Sequence, residues 1–310
     1  MTSDSTPAIE LQNLARRFGK AEAVNGLSLS VEPGRCYGFF GRNGAGKTTT
    51  IKCLLNLLRP DSGQVRVFGM DPHRQEVAVK QRIGYVPEVV AFYPWMSARG
   101  VLDYTASFHE NWNRQLEAEL RERFELDEQK KVKAMSKGMR AQLALLCAIC
   151  SEPDLLLLDE PTSGLDPVVR REFIRTVIGA YQEGAPERRT VFVSTHLIQE
   201  FEGLIDEFTV IDGGRNLITL TSDEARARFC KIRLRFPGQL PQLEAGGDIV
   251  SVEPDGRELE VTTDQYSAKL IERLRGQNPE SLKEERLSLE EIFIAADRLK
   301  IRGRKRGASQ

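Results

Sequence analysis

The sequence predicts an α/β protein built around a parallel β-sheet, and three apolar runs carry this prediction. The first, over residues 36–40, precedes a glycine-rich stretch and then a segment with apolar residues at helical spacing over 49–58. The second is a run of four leucines at 155–158, which is typical of a strand buried on both faces of a parallel sheet. The third, at 190–193, ends shortly before His196. Because open α/β sheets bind ligands at the carboxyl ends of their strands, we expect functional residues to follow these runs.

The glycine-rich stretch fits a phosphate-binding pattern of Gly, four residues, Gly, Lys and then Ser or Thr. It lies between a predicted strand and a predicted helix, which is the context that this motif requires. Glycines let the backbone fold around phosphates with its N–H groups pointing inward, and the helix N-terminus adds partial positive charge. We expect Lys47 to reach the terminal phosphates and the Thr48 hydroxyl to bind Mg²⁺. The motif consists of Gly41, Arg42, Asn43, Gly44, Ala45, Gly46, Lys47 and Thr48.

Two carboxylates, Asp159 and Glu160, directly follow the four leucines. Adjacent carboxylates on a surface loop are usually only solvated, but a buried strand downstream of a phosphate-binding loop favours a functional role. We expect Asp159 to hold Mg²⁺ through water and Glu160 to polarise an attacking water. Single histidines are more often structural than catalytic, but His196 ends a strand of the same predicted sheet and could reach the γ-phosphate. Glu88 follows a further predicted strand over 82–87.

Length and composition limit the remaining choices. The 310 residues suggest one large and one small domain, and the net charge of −1 provides no global basic field for nucleic acid. Five cysteines, an odd number scattered through a long chain, favour a reducing compartment. The spacing of Cys147 and Cys150 also occurs in redox and metal sites, but without a second pair it favours two packed helix residues. We expect neither a secretory signal nor a membrane-spanning segment.

In their order and spacing, these motifs resemble those of the nucleotide-binding subunit of an ABC transporter, over about residues 8–217. The likeness is closest to bacterial cassettes of exporter type, whose membrane subunit is a separate chain. It implies a phosphate-loop NTPase cassette with a mixed central sheet, an antiparallel β subdomain and a helical subdomain, peripheral to the cytoplasmic face of the cell membrane. Besides the phosphate-binding loop and Glu88, the matching motifs are Met135-Ser136-Lys137-Gly138-Met139, Asp159-Glu160-Pro161-Thr162, Ser163-Gly164-Leu165-Asp166 and His196.

The resemblance also implies a partner. Two ATP-binding subunits, identical or different, would form a head-to-tail dimer with two ATP molecules between them. Ser136 and the Gly138 backbone would contact the γ-phosphate bound by the opposite subunit. The helix from Arg140 onward would point its positive N-terminal end at that phosphate. Asp166 would lie in the loop that joins the two sites.

The resemblance assigns site residues in three groups. The implied catalytic residues are Lys47, Glu160 and His196. The implied Mg²⁺ ligands are Thr48, Glu88 and Asp159. The residues implied to bind ATP are Phe18, Gly41, Arg42, Asn43, Gly44, Ala45, Gly46, Lys47, Thr48, Thr49, Glu88, Ser136, Gly138 and Asp166.

Three positions depart from the family pattern. The family signature is usually Leu-Ser-Gly-Gly-Gln, and this chain keeps the serine and the second glycine, which make the phosphate contacts. It ends the signature with Met139, which loses a polar contact. Glu88 stands where the family usually has Gln. Phe18 stands for the usual adenine-stacking Tyr, and it keeps the ring but lacks the hydroxyl. We expect it in a loop between the first two strands, which are predicted at 9–11 and 27–31.

We expect the cassette to occupy residues 1–217, with a helical subdomain over about 89–150 in which Ser97 caps a helix. A small α+β accessory domain would follow over 218–297, with a β-hairpin that turns at Asp255-Gly256, and then a basic tail over 298–310. The aromatic run at 92–96 is either core packing or an exposed docking patch. A predicted strand at 231–236 has one basic face, which either binds an anion or is solvated. The tail either lies against anionic lipid or is disordered and solvated.

The sequence therefore predicts an ATP- and Mg²⁺-dependent ATPase subunit that drives export through a separate transmembrane subunit by ATP-driven dimerisation. The alternative is a soluble ABC ATPase that acts on nucleic acid or ribosomes. Chromosome-organising members carry hundreds of coiled-coil residues between the two nucleotide motifs, whereas Thr48 and Asp159 are only 111 positions apart. Ribosome-acting members usually join two cassettes in one chain. A phosphate-loop small-molecule kinase would not explain Ser136, Gly138 and Asp166.

Overall fold

The structure, a computed structural model, describes residues 6–182 and 189–307. The chain forms two units. The first runs to Ile205 and includes Ile211–Asn216, and the second contains Asp206–Val210 and the chain from Leu217 onward. The domain limits at 217 and 297 that the sequence suggested stay predictions. Within the described ranges, no helix is both long enough and apolar enough to cross a membrane.

Strands and helices alternate through much of the chain. The strands are β1 (Ile9–Phe18), β2 (Ala21–Val31), β3 (Cys36–Phe40), β4 (Ser62–Val67), β5 (Ile83–Val86), β6 (Leu155–Asp159), β7 (Thr190–Thr195), β8 (Glu207–Asp212), β9 (Arg215–Thr221), β10 (Cys230–Arg235), β11 (Ile249–Asp255), β12 (Glu258–Thr263) and β13 (Ser281–Arg286). The helices are α1 (Lys47–Leu54), α2 (Glu76–Lys80), α3 (Ala98–Ala106), α4 (Arg114–Arg123), α5 (Lys137–Ile149), α6 (Pro167–Gln182), α7 (Ser222–Arg228), α8 (Ala268–Arg275) and α9 (Leu289–Gly307). Short 3₁₀ helices cover Val132–Ala134 and Ile198–Glu200.

The central sheet has six strands in the order β5-β6-β7-β3-β8-β9. The pairs β5–β6, β6–β7 and β7–β3 are parallel, so the residues after β3, β5, β6 and β7 lie at one edge of the sheet. Every residue of β3, β6 and β7 is buried, which explains why these strands are almost continuously apolar. The predicted parallel strands are therefore present and deliver their polar ends to the same place.

A second, antiparallel sheet has the order β2-β1-β4. Its apolar residues, such as Ile9 paired with Val31 and Val67, join the core that also contains Leu157 of β6. The position of Phe18 differs from the prediction, which placed it in a loop between the first two strands. Phe18 is instead the last residue of β1 and pairs with Ala21, because the hairpin turn is only two residues long.

Helix α1 is shorter than the predicted helix over 49–58. It starts at Lys47 and ends at Leu54. Asn56 adopts a left-handed backbone conformation, with φ of 53°, and this conformation cannot continue a right-handed helix. The amides of Leu57 and Leu58 both donate to the carbonyl of Lys52, which closes the C-terminus of α1.

The helical segment between β5 and β6 contains α3, α4 and α5. Ser97 caps α3, as predicted, by accepting a hydrogen bond from the amide of Gly100 at 3.1 Å. Ser136 caps α5 in the same way through the amide of Met139. Cys147 lies in α5, and burial raises the pKa of its thiol to about 12. Cys150 is a free, buried thiol at the end of α5, and among the described residues no group of three or more His, Cys, Asp or Glu side chains could hold a metal ion.

The second unit contains an antiparallel sheet with the order β11-β12-β10-β13. The predicted hairpin is present, with Gly256 in the turn between β11 and β12 at φ of 59°. The basic face of β10 is matched by acidic residues rather than left as a basic surface. Lys231 lies 2.6 Å from Glu291, and Arg233 lies 3.4 Å from Glu260.

The backbone of the predicted basic tail is helical as far as residue 307, because α9 extends through Gly307. Residues 308–310 lie outside the described part of the chain, as do the basic side chains from 300 onward. The choice between a lipid-bound and a solvated tail therefore stays open.

We expect the central strand β6 to tolerate truncation poorly. Leu157 is fully buried between its partners Tyr85 and Phe192. Leu157→Ala should lower the free energy of unfolding by about 2–5 kcal/mol because it leaves a cavity in the core. Leu57→Ala, at a residue that is 55% exposed, is the matched control and should change it by less than about 0.5 kcal/mol. Urea denaturation followed by circular dichroism measures the free energy of unfolding of both variants. Equal changes in the two would contradict the assignment of Leu157 to the core.

Candidate functional site

The predicted phosphate-binding loop connects β3 to α1, and its conformation requires glycine. Gly46 has φ of 107°, and a Cβ atom there would lie 2.3 Å from the carbonyl oxygen of Ala23. Gly44 has φ of 80°. A Cβ atom on Gly41 would lie 2.7 Å from the carbonyl oxygen of Ile211. The loop therefore folds as the motif predicts, at the N-terminus of a helix where backbone N–H groups attract anions.

Lys47 is the first residue of α1, and its ammonium group is buried in this loop. Its Nζ donates to the carbonyl oxygen of Gly41 at 2.7 Å and to that of Arg42 at 3.3 Å. Nζ also lies 2.9 Å from Oε1 of Glu160, and both side chains are only 5% exposed. The structure thus joins the phosphate-binding loop to the second carboxylate predicted from the sequence.

Asp159 faces the Thr48 hydroxyl across the same edge of the sheet. Its Oδ1 accepts hydrogen bonds from Thr48 at 3.1 Å and from Ser194 at 3.2 Å. Burial raises the pKa of Asp159, the neighbouring carboxylates Glu88 and Glu160 add to that rise, and the two hydrogen bonds oppose it. Its Oδ2 is buried and has no hydrogen-bond partner among the described residues.

These groups fit the predicted Mg²⁺ ion. Mg²⁺ prefers oxygen ligands and is usually held by one or two protein groups together with waters and substrate phosphates. The unpartnered Oδ2 of Asp159 and the hydroxyl of Thr48 provide such oxygens beside the loop. Glu88 is exposed directly beyond the end of β5 and lines the same cavity.

Glu160 is held in a defined orientation by β7. It has φ of 46°, a left-handed conformation that is uncommon outside glycine, and its amide donates to the carbonyl oxygen of Ser194 at 2.8 Å. Its Oε2 lies 2.8 Å from Nδ1 of His196 and accepts a hydrogen bond from Thr195 Oγ1 at 3.3 Å. A carboxylate fixed next to a phosphate-binding loop can accept a proton from water, which suits the predicted role of Glu160.

A cavity of about 480 Å³ lies in front of the loop, a size that suits a small-molecule ligand. Phe18 stands at this cavity, 47% exposed, with the guanidinium carbon of Arg16 5.0 Å from its ring centroid. The lining residues are Phe18, Ala23, Asn43, Gly44, Gly46, Lys47, Thr48, Thr49, Glu88 and Glu160.

The sequence reasoning missed some residues at this site and placed others differently from the structure. Ala23 of β2 lines the cavity, although no motif identifies it. Gly41, Arg42 and Ala45 do not line it. Arg42 instead contributes its carbonyl to Lys47, and the carbonyl of Ala45 accepts from the amide of Gly214 at 3.0 Å.

The signature residues Ser136 and Gly138 do not line this cavity and lie near the start of α6 instead. A Cβ atom on Gly138 would lie 3.1 Å from Val169, so the beginnings of α5 and α6 are in close contact. Asp166 caps α6, because its Oδ1 accepts hydrogen bonds from the amides of Val168 and Val169, both at 3.1 Å. Ser136 and Asp166 are both exposed.

Comparison with known proteins places the chain in a family. A family model described as ABC transporter matches residues 24–163. The daunorubicin resistance ATP-binding protein DrrA3 of Streptomyces coeruleorubidus is 35% identical over 306 residues, covering 93% of this chain and 95% of that protein. The Nod factor export ATP-binding protein I of Burkholderia orbicola (strain AU 1054) is 37% identical over 253 residues, covering 80% and 77%. A solved ATP-binding subunit of an ABC transporter has 25% identity and a TM-score of 0.64, covering 71% and 92%.

These similarities confirm the predicted fold, a mixed α/β ATP-binding cassette, and none of them supports the alternative role on nucleic acid or ribosomes. The likeness to DrrA3 extends over nearly the whole chain. The phosphate-binding loop, both carboxylates and His196 meet at one edge of the central sheet. The chain therefore belongs to the ATP-binding proteins of the ABC transporter family, whose activity is the hydrolysis of ATP.

Proposed function

We propose that this ATPase powers the export of a substrate through a separate transmembrane subunit at the cytoplasmic face of the membrane. The observation that carries the proposal is the convergence of Lys47, Asp159 and Glu160 at one edge of the central sheet. Two relatives that are named for drug resistance and Nod factor export support the direction of transport. The binding site for the transported substrate would then lie in the transmembrane subunit.

The Lys47–Glu160 ion pair suggests how ATP acts on the site. The γ-phosphate and the carboxylate of Glu160 would compete for the same buried ammonium. A phosphate that wins this competition frees Glu160 from Lys47 but leaves its contacts with Thr195 and His196 in place. Glu160 can then accept a proton from the attacking water. A bound Mg²⁺ ion would neutralise phosphate charge, and Thr48, Asp159 and Glu88 would hold it.

The second subunit would complete the site. The exposed N-terminus of α5 carries Ser136 as its cap, and helix N-termini bind phosphate through their free N–H groups. We propose that this end of α5 faces the γ-phosphate bound by the opposite subunit, with Asp166 between the two sites. The close contact of Gly138 with Val169 keeps both segments at the same surface.

A docking site for the transmembrane subunit is proposed on the aromatic run at 92–96. The open question between core and surface is answered for two of its residues, because Tyr93 and Trp95 are 52% and 68% exposed and stack at 4.8 Å. Exposed aromatic pairs of this kind are typical of interaction sites. The backbone of this run is anchored next to the signature, since the amide of Val132 donates to the carbonyl oxygen of Met96 at 2.9 Å. A backbone displacement caused by docking at Trp95 would therefore be transmitted towards Ser136.

The first prediction from the proposed function concerns Glu160. Glu160→Gln should slow hydrolysis by about 10²–10⁴-fold because it removes the base, while ATP affinity stays equal or rises because the competitor for Lys47 loses its charge. Blocked hydrolysis should let the ATP-bound dimer accumulate on size-exclusion chromatography with ATP and Mg²⁺. Glu119→Gln, on the exposed face of α4, is the matched control. Unchanged hydrolysis would contradict the role of Glu160, and an ATP-bound monomer would contradict the dimer.

The second prediction concerns Glu88. Its carboxylate adds negative charge beside Asp159, so metal-free ATP should be repelled more strongly than by the glutamine that is usual in the family. Glu88→Gln should therefore bind ATP more tightly in the presence of a chelator and depend less steeply on Mg²⁺. ATP affinity with Mg²⁺ and with chelator measures this, with Glu110→Gln as a remote control. Equal Mg²⁺ dependence in variant and wild type would show that Glu88 is too far from the ion to act on it.

The third prediction concerns Trp95. Trp95→Ala should leave the ATPase activity of the isolated protein within about twofold, since exposed residues contribute little to folding. Co-purification of the transmembrane subunit from native membranes should fall clearly. Phe108→Ala, which removes a different aromatic ring that is 63% exposed, is the control. Undiminished co-purification, or a loss of ATPase activity together with folding, would contradict a docking role.

A further inference from the structure

We propose that Glu200 is a positioning residue that couples the segment of His196 to the loop of Asp166. Glu200 ends the 3₁₀ helix that follows His196, and its side chain is only 12% exposed. One of its carboxylate oxygens accepts a hydrogen bond from Thr162 Oγ1, and the other lies 2.7 Å from Nη1 of Arg170. The role of Asp166 rests on the dimer of the proposed function, so this inference deepens that proposal.

The two partners of Glu200 hold opposite ends of one loop. Thr162 is fully buried and begins the loop two residues after Glu160. Arg170 lies in the first turns of α6, and its Nη2 donates to the carbonyl oxygen of Leu165 at 3.1 Å. The amide of Leu165 in turn donates to the carbonyl oxygen of Thr162 at 3.1 Å. Through these contacts, the carboxylate of Glu200 fixes the loop over 162–165, which immediately precedes Asp166.

Glu200 is connected to the catalytic groups on its other side. The amide of Leu197 donates to Thr195 Oγ1 at 2.9 Å, and Thr195 Oγ1 donates to Glu160 Oε2 at 3.3 Å. His196 lies between these residues and contacts the same oxygen of Glu160. The segment from Thr195 to Glu200 therefore has one end on the catalytic carboxylate and the other on the loop of Asp166.

The segment from Thr195 to Glu200 and the loop of Asp166 are held together firmly, because separating Glu200 from Arg170 is costly in free energy. A nearly buried carboxylate that loses its cation leaves an uncompensated charge, which is strongly unfavourable. A movement of His196 and Glu160 on ATP binding should therefore carry the loop of Asp166 with it. ATP binding at one site would in this way change the position of the loop of Asp166 at the surface that faces the second subunit.

The test is Glu200→Gln, which keeps the shape of the side chain and its ability to accept from Thr162 but removes the charge that binds Arg170. We expect kcat to fall by about 10-fold or more, because small misplacements of catalytic groups are costly, while the affinity for a fluorescent ATP analogue changes by less than about twofold. Thermal stability serves as the fold control. Asp154→Asn, which breaks the Arg82–Asp154 ion pair elsewhere, should leave kcat unchanged.

Arg170→Gln and the double variant measure the coupling. If Glu200 and Arg170 act as one unit, the double variant should be no slower than the slower single variant. Arg170→Gln also carries the kcat test if Glu200→Gln does not fold. The proposal would be overturned if kcat is unchanged in the single variants, or if their effects on kcat multiply in the double variant. A joint fall of kcat, ATP affinity and thermal stability would also overturn it. If the wild-type protein hydrolyses ATP without dimerising, the dimer of the proposed function is contradicted. The coupling between Glu200 and Arg170 is still tested by the kcat values of the variants.

Discussion

The site depends on a buried ion pair between Lys47 and Glu160, whose charged atoms lie 2.9 Å apart. A single buried charge is strongly unfavourable, so each of the two residues requires the other to be in place. The strands that lead to them, β3 and β6, are not neighbours, because β7 lies between them. This intervening strand supplies Ser194 to Asp159, and Thr195 and His196 to Glu160. Three parallel strands thus bring cation, carboxylates and histidine to one edge, although they are far apart in the sequence.

The sequence allowed good predictions where a residue type follows from local geometry. The glycine-rich loop, the continuous apolar strands and the serine cap of α3 belong to this class, because sterics and hydrogen bonding of a few neighbouring residues decide them. Contacts across the sheet were not predictable in the same way. Neither the Lys47–Glu160 pair nor the position of Glu200 next to Arg170 has a local signal. The early end of α1 depended on the left-handed Asn56, which helical spacing alone does not reveal.

The helical segment relates the proposed docking surface to the proposed subunit interface. The backbone near Trp95 is bonded to the 3₁₀ helix over Val132–Ala134, and that helix leads directly into the cap residue Ser136. Backbone hydrogen bonds of this kind do not depend on side-chain identity. A displacement of the aromatic run would therefore be transmitted to the N-terminus of α5 even if the side chains of the intervening residues were substituted. The residues that line the cavity described above belong to the first unit, and in the second unit the basic residues Lys231 and Arg233 of β10 are paired with glutamates.

The left-handed backbone of Glu160 has a consequence for protein engineering. A non-glycine residue in this conformation carries a strain of about 1–3 kcal/mol, which the surrounding structure must offset. Glycine or asparagine would relieve that strain but would abolish the carboxylate that contacts His196. Either substitution would also leave the buried ammonium of Lys47 without its carboxylate, and that unpaired charge would offset the strain relieved. The strain at position 160 is therefore retained because one side chain provides both the ion pair with Lys47 and the contact with His196.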